Sequence, residues 1–327
     1  MDWDLLGHSW AVENLAHEVA SGTTRHAYLL CGQHGMGRRT LALRLAQALN
    51  CPTPPSPGDA CRRCRTCRQI EQMSFSDLSI IQADQVGGTL RVDQVRELLH
   101  SLALMPYEAR YRVALLLRFE EAHPSAMNAL LKTLEEPPSQ AIIVLTAESA
   151  ESLLPTIASR CEILRLRPMP IMDLSKGLQS REGIPPQTAD LYAHLSGGRP
   201  GIALRMAKNP ELAETRKMWL DFHKHLLTAS RHERFSLAED LLKDREYLPE
   251  GLGIWLSLWR DVLLVSLKSN VRVVNLDMEN EIARLADRFG QEGAFQNIAI
   301  LDKTINSLDR NINPRLALEV LMLDLPA

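Results

Sequence analysis

Five short apolar runs, separated by helical patterns, restrict the fold of this chain more than any other feature. The runs are rich in Val, Ile and Leu, are nearly continuous, and cover residues 27–31, 78–82, 112–117, 141–146 and 161–166. Such runs are typical of strands buried on both faces of a parallel sheet, whereas a strand with one wet face alternates. Helical patterns lie between them, at residues 39–49, 92–105, 124–134 and 149–157. The sequence therefore predicts an α/β domain with right-handed crossovers.

The rest of the chain carries no further strand signal. Residues 168–208 read as a few short helices, with turns at Pro185-Pro186 and at residues 196–201, and residues 209–327 are helical throughout. We therefore expect three domains, namely an α/β domain at 1–167, a small helical lid at 168–208 and an all-α collar domain at 209–327.

Composition and charge exclude several classes of protein. The chain has 327 residues, 45% of them hydrophobic, which is enough for several cores. Its net charge of −3 argues against a basic nucleic-acid coat. No apolar run reaches the roughly 18 residues that a membrane span needs, and residues 1–4 lack the basic start of a secretory signal. We expect a soluble, cytoplasmic protein that does not contact a membrane.

A glycine loop follows the first apolar run and precedes a helix, which is the context of a phosphate-binding loop. Its glycines are Gly32, Gly35 and Gly37. The lysine that would reach the β- and γ-phosphates is replaced by Arg38, and the Mg²⁺-binding hydroxyl is replaced by Arg39. Thr40 comes one residue late, which turns its side chain by about 100° on a helix.

The residues at the end of the third run also differ from those of a site that hydrolyses ATP. Leu117 and Arg118 stand where a carboxylate would help to hold Mg²⁺, and Glu120 and Glu121 come later. We interpret the domain as a phosphate-loop fold that has lost ATP hydrolysis. Three alternatives stay open at this point: an unusual ATPase that uses Arg38 and Glu120, weak nucleotide binding without turnover, and a glycine turn with no ligand.

A cysteine cluster lies after the first helix of this domain, at about residues 51–67. Two C-x-x-C steps and one earlier cysteine supply four thiols, which can bind Zn²⁺ tetrahedrally with no position left for water. These residues are Cys51, Cys61, Cys64 and Cys67. We predict a structural zinc module, in which the flanking arginines favour the thiolate form. An iron–sulfur cluster, a redox pair, chance, or a basic surface for DNA are the alternatives.

Further sequence motifs, together with the features above, resemble those of a known protein family. Residues 128–138 (NALLKTLEEPP), Thr146 and Ser159-Arg160-Cys161, together with the glycine loop and the cysteine insert, resemble the bacterial clamp-loader family, a branch of the AAA+ ATPases. Asn275-Leu276-Asp277 and the final helix from Asn313 are similar as well. Within the family, the eroded loop and strand tip resemble the member that does not hydrolyse ATP rather than the motor subunits.

The resemblance implies a subunit of the DNA polymerase III holoenzyme, which works in DNA replication. Such a subunit would join the motor (gamma or tau) and delta subunits in a five-membered ring, which opens the sliding clamp and places it on primed DNA. It would be a non-hydrolysing accessory subunit, with a glycine loop (Gly32, Gly35, Gly37, Arg38 and Thr40) that no longer functions. Arg160 would reach into the ATP site of a neighbouring subunit.

Several roles stay open in the sequence. Thr146 takes the position of a γ-phosphate sensor, although the site that it would serve looks inactive. Glu135 and Glu136 belong either to a subunit interface or to a solvated helix end. In the collar, Leu256, Trp259, Leu263 and Leu264 could form an oligomerisation face or could be core. The rival functions are an active motor-like clamp-loader ATPase and a zinc-dependent DNA-binding factor.

Overall fold

The computed structural model describes residues 3–85, 88–209, 211–243, 247–309 and 313–325. The chain divides into two compact units, Met1–Met169 with Arg199–Gly201 and Pro170–Gly198 with Ile202–Ala327. This division groups most of the predicted lid with the predicted collar, and the three-domain organisation stays a prediction. Within the described ranges, no helix is both long enough and apolar enough to cross a membrane.

A parallel sheet of five strands forms the centre of the first unit. Its strand order is β2-β3-β4-β1-β5. The strands are β1 (Ala27–Cys31), β2 (Leu78–Ile81), β3 (Arg112–Leu116), β4 (Ala141–Ala147) and β5 (Glu162–Arg165). They confirm the five predicted runs to within one or two residues at each end.

Strand β1 lies in the middle of the sheet and is buried on both faces. Tyr28 and Leu30 join the core on one face, and Ala27, Leu29 and Cys31 join the core on the other. Because two separate cores need apolar side chains from the same strand, the run cannot alternate with polar residues. The prediction of a doubly covered sheet is therefore confirmed.

Helices cover this sheet. They are α1 (Ser9–Ser21), α2 (Arg38–Asn50), α3 (Arg65–Glu71), α4 (Val92–Leu102), α5 (Pro124–Glu135) and α6 (Pro155–Ala158). The predicted continuous helix at 149–157 is wrong, because a 3₁₀ turn (Ala150–Ser152) and α6 replace it. Leu154 between them is extended, with φ −60° and ψ 132°. The ring of Pro155 disfavours helical geometry at the residue before it, which breaks the helix there.

Within its described residues the second unit contains helices and no strand, as predicted. Its helices are α7 (Ile171–Glu182), α8 (Pro186–Leu195), α9 (Pro200–Lys208, which begins in the first unit), α10 (Glu211–Leu226), α11 (Arg231–Lys243), α12 (Leu248–Ser266), α13 (Glu279–Asp309) and α14 (Pro314–Asp324). Helix α13 is interrupted at Gly290, where φ is 60° and ψ is −167°. Asn313 caps α14 by accepting a hydrogen bond from the Arg315 N–H at 3.0 Å.

Aromatic side chains form the centre of the second unit. Trp259 is fully buried, its ring lies edge-on to Phe289 at a centroid distance of 5.2 Å, and its Nε1 donates to Nε2 of His223 at 3.0 Å. Trp259 is therefore part of the core, which is one of the two alternatives that the sequence left open, because α12 turns it inward. Leu256, Leu263 and Leu264 are half-buried.

The Asn275-Leu276-Asp277 string has a structural role in this unit. The Asn275 side-chain amide donates to Oδ2 of the buried Asp261 at 2.8 Å, and its Oδ1 accepts from Nη2 of Arg216 at 2.7 Å. Both carboxylate oxygens of Asp277 accept from the same guanidinium, at 2.5 and 3.1 Å. The string therefore connects α10 to α12 through charge-assisted hydrogen bonds.

Candidate functional site

The glycine loop joins β1 to α2, as the sequence predicts. Gly35 and Gly37 have φ values of 84° and 88°, in the left-handed region that favours glycine. A Cβ at Gly32 would lie 2.9 Å from the carbonyl oxygen of Leu166. The loop therefore depends on its glycines for conformation and for close approach. The Gly35 carbonyl accepts a hydrogen bond from the Gly201 N–H at 2.8 Å.

Arg38, in place of the lysine, is buried against a carboxylate of its own chain. Its Nη1 lies 3.8 Å from Oε1 of Glu120, and among the described residues neither that nitrogen nor Oε2 of Glu120 has a hydrogen-bond partner. Burial raises the pKa of Glu120, and the nearby Arg38 charge only partly offsets this. Arg39 is exposed and contacts the sulfur of Met73 at 2.7 Å, and Thr40 is exposed as well.

The tip of β3 is occupied by an arginine instead of a carboxylate. Arg118 has φ 49°, and its backbone N–H donates to Oγ1 of the buried Thr146 at 2.9 Å. Its Nε donates to both carboxylate oxygens of Glu121 at 3.0 Å. Thr146 thus connects the ends of β3 and β4, and Glu121 is engaged by its own chain.

Arg160 lies near the amino ends of the parallel strands, whereas the glycine loop lies at their carboxyl ends. Strand β5 runs parallel to β1, with Tyr28 beside Glu162 and Cys31 beside Arg165. Arg160 precedes β5, so it is about six strand positions, or roughly 20 Å, from Gly32. An arginine side chain cannot cover that distance, so Arg160 does not reach the loop of its own chain.

The Arg160 side chain is held by neighbouring groups and stays partly accessible. Its Nη2 donates to Oε1 of Glu135, the last residue of α5, at 2.7 Å. Its Nη1 donates to the Thr156 carbonyl at 2.8 Å and to Oγ of Ser159 at 3.4 Å. The side chain remains 34% exposed.

The cysteine cluster brings its four sulfur atoms to one point. The Sγ atoms of Cys51, Cys61, Cys64 and Cys67 all lie within 4.8 Å of one another. A tetrahedral zinc ion with Zn–S bonds of about 2.3 Å has S···S edges of about 3.8 Å. The four thiols therefore fit a zinc ion, which would take all its ligands from the protein.

Backbone N–H groups point at the sulfur atoms. The N–H of Cys61 donates to Cys51 Sγ and the N–H of Cys64 donates to Cys61 Sγ, both at 3.3 Å. Burial opposes ionisation of Cys61, but the N–H groups of Arg63 and Cys64 and the Thr53 hydroxyl lower its pKa to about 6. This effect concerns Cys61, whereas burial raises the pKa of Cys64 and of Cys67.

The cysteine module is fixed to the first unit by buried contacts. Nε2 of Gln47, in α2, donates to the Cys67 carbonyl at 2.8 Å, and Nε1 of Trp3 donates to the Gly58 carbonyl at 3.1 Å. A Cβ at Gly58 would lie 2.1 Å from the carbonyl oxygen of Ala16 in α1. The module thus packs directly against α1 and α2, which is the arrangement of a structural element.

Two side-chain ion pairs at these sites were not predicted from the sequence. Arg118 and Glu121 are three residues apart, a spacing that could have suggested their ion pair. Arg160 and Glu135 are 25 residues apart, and no local pattern connects them. Only the folded sheet brings the end of α5 next to the end of α6.

Sequence profiles of known families match most of the chain. A profile described as "DNA polymerase III, delta subunit" matches residues 7–170, and one described as "DNA polymerase III, delta subunit, C terminal" matches residues 216–326. The chain is 30% identical over 305 residues to DNA polymerase III subunit delta' of Pseudomonas aeruginosa, covering 91% of this chain and 90% of that protein. It is 26% identical to the Bacillus subtilis delta' subunit, covering 94% and 93%.

The N-terminal half is also similar to subunits of another kind. It is 34% identical over 181 residues to DNA polymerase III subunit tau of Escherichia coli, covering 54% of this chain and 27% of that protein. A solved DNA polymerase III gamma subunit-related protein from Thermotoga maritima has a TM-score of 0.53 and 19% identity, covering 96% of this chain and 98% of that one. This likeness concerns the fold alone, and it confirms the predicted fold of a parallel-sheet α/β domain with an all-helical C-terminal region.

Proposed function

Because the chain belongs to the family of DNA polymerase III delta-prime (delta') subunits, we propose that it is an accessory subunit of a clamp loader. In this proposal it assembles with motor (gamma or tau) and delta subunits into a five-membered ring, which places a sliding clamp on primed DNA in the cytoplasm. The chain does not hydrolyse ATP, and Arg160 acts at the ATP site of a neighbouring motor subunit. The lid at 168–208 and the collar at 209–327 complete the proposed three-part organisation.

The contacts around the glycine loop support the absence of hydrolysis. Arg38 meets Glu120 of its own chain, and Arg118, at the strand tip, is paired with Glu121. A hydrolytic site needs a lysine on the phosphates and a carboxylate on Mg²⁺. Both positions here hold arginines whose charges face carboxylates of this chain, and arginine does not reproduce the point charge of lysine.

The placement of Arg160 is the observation that carries the proposal. The backbone of Arg160 lies roughly 20 Å from Gly32 of its own chain, before the amino end of β5, and a third of the Arg160 side-chain surface is exposed. An arginine presented from another subunit stabilises the charge that develops on a transferring γ-phosphoryl group. Such a role needs an exposed, well-oriented guanidinium and no nucleotide on the chain that supplies it.

We propose that the cysteine module binds a structural Zn²⁺. Cys51, Cys61, Cys64 and Cys67 would supply all four ligands, so the ion would have no open position for water or substrate. The ion would replace a hydrophobic core in this small loop-rich segment and would hold the module against α1 and α2.

A reconstituted ring tests the role of Arg160. Arg160→Ala should leave assembly and metal content unchanged and should lower ATP turnover by the ring about 10-fold or more, because a charge at the transition state is lost. Arg165→Ala is the matched control, since it removes another exposed arginine that pairs with Glu151 at 3.4 Å. Unchanged turnover in the Arg160→Ala ring would refute the assignment.

The isolated chain tests the absence of hydrolysis separately. It should release no phosphate from Mg·ATP above the background of a matched buffer, with or without primed DNA. Turnover that disappears in Arg38→Ala would instead establish an active motor-like site in this chain.

A further inference from the structure

We infer that Glu135 is a positioning residue, which holds the Arg160 guanidinium in place for the neighbouring ATP site. This inference rests on the proposed function of Arg160. It concerns how the free subunit presents that side chain before a neighbour binds.

The contacts of Arg160 come from two separate elements. Glu135 ends α5 and receives the Nη2 hydrogen bond at 2.7 Å, whereas Thr156, in α6, receives an Nη1 hydrogen bond at 2.8 Å. Two acceptors on different helices fix both the position and the plane of the guanidinium. The peptide carbonyl of Thr156 is available in any variant, and the Ser159 hydroxyl is a longer contact at 3.4 Å, so Glu135 is the main side-chain acceptor in this geometry.

The arrangement leaves part of the guanidinium for a ligand. Arginine has five N–H donors in a rigid fork, and the contacts with Glu135, Thr156 and Ser159 engage three of them. The remaining donors, on a side chain that is 34% exposed, are available to phosphoryl oxygens. Glu135 therefore orients Arg160 without consuming its hydrogen-bonding capacity.

Orientation in advance matters because a free arginine samples many rotamers. Ordering such a side chain on binding opposes association, and a side chain that is already held loses less freedom. The pair is solvent-exposed, with Glu135 52% accessible, so its own strength is small. Its loss should lower the occupancy of the productive position about 2- to 5-fold, far less than loss of the guanidinium itself.

The test is ATP turnover by the reconstituted ring with five variants of this chain. Glu135→Ala should lower kcat about 2- to 5-fold with KM for ATP unchanged, because the neighbour binds ATP with its own loop. Glu135→Gln should recover part of the rate, since its amide oxygen still accepts a hydrogen bond. Glu151→Ala is the matched control, because it breaks the exposed ion pair with Arg165 and should leave the rate unchanged.

Arg160→Ala and the Arg160→Ala, Glu135→Ala double variant separate positioning from a structural role. In an Arg160→Ala chain, Glu135→Ala should cause no further loss, since there is no guanidinium left to orient. An equal loss in both backgrounds, a normal rate in Glu135→Ala, or a faster rate would each overturn the inference while leaving Arg160 as the acting group. A normal rate in Arg160→Ala alone would instead overturn the proposed function.

Discussion

The histidine in the core of the second unit predicts a pH-dependent stability. His223 is fully buried, its Nε2 accepts the hydrogen bond from Nε1 of Trp259, and its ring lies 5.0 Å from that of Trp255. Burial lowers the pKa of His223 from its ordinary 6.5 to about 3. The folded chain therefore keeps this imidazole neutral at a pH where the unfolded chain is protonated.

The magnitude follows from the difference in proton binding between the two states. Above the unfolded pKa of 6.5, both states are neutral at His223 and the group adds no pH dependence. As the pH falls from 6.5 towards 3, only the unfolded state gains the proton, so stability is lost over that window. Between about pH 7.5 and pH 5, the loss from this group is about 2 kcal/mol, at 1.4 kcal/mol per unit below 6.5. The value depends on His223 staying neutral rather than on its folded pKa in detail.

Urea unfolding measures this loss directly. Trp3→Phe and Trp10→Phe remove the indoles of the first unit, so fluorescence reports the unit that contains His223. His223→Gln in that background keeps an acceptor for the Trp259 N–H but cannot be protonated. We expect the free energy of unfolding to fall about 2 kcal/mol further in the parent than in His223→Gln over the same pH range. Equal slopes in the two proteins would refute a buried, neutral His223.

Two further predictions concern the cysteine module and α12. The purified chain should contain about one zinc ion per chain. Cys64→Ser should lose this ion and loosen the module without changing ATP turnover by the ring. A Cys64→Ser variant that keeps its full metal content, measured by mass spectrometry, would contradict the ligand set. In α12, Gly251→Ala would place a Cβ 2.3 Å from the buried Trp219 ring and should destabilise the unit by about 1–3 kcal/mol. Gly253→Ala meets nothing within 4 Å and should stabilise the unit by about 0.5–1 kcal/mol, so thermal unfolding temperatures should move in opposite directions.

The sequence predicted the features that a short stretch of chain determines by itself. Strand β1 had to be apolar at every position because both of its faces are covered, and that requirement is visible in residues 27–31. The glycines of the loop and the spacing of the cysteines report local backbone geometry in the same way. Pro155 was equally visible, and its effect on Leu154 was overlooked in favour of the apolar periodicity.

The features that the sequence did not predict depend on where distant residues meet. Trp259 lies on a helix with apolar residues on several sides, so periodicity could not separate core from interface. Glu135 was visible as one of two acidic residues at a helix end, and only the structure shows that it pairs with Arg160. Two of the donors that lower the Cys61 pKa are backbone N–H groups, which carry no signature in the residue types.

The two ends of the parallel strands explain how a chain of this fold could lack ATP hydrolysis and still contribute an arginine to a neighbour's ATP site. Arg38, Arg39 and Arg118 lie at the carboxyl ends of the strands. Glu120, which faces Arg38, and Glu121, which pairs with Arg118, lie there too. Arg160 and Glu135 lie at the amino ends of the strands and share no partner with these residues. Sites more than about 10 Å apart without shared partners respond independently to mutation. The proposed loss of hydrolysis at one end of the strands therefore imposes no change at the other end, and the proposed contribution to a neighbour's ATP site needs only the intact sheet between them.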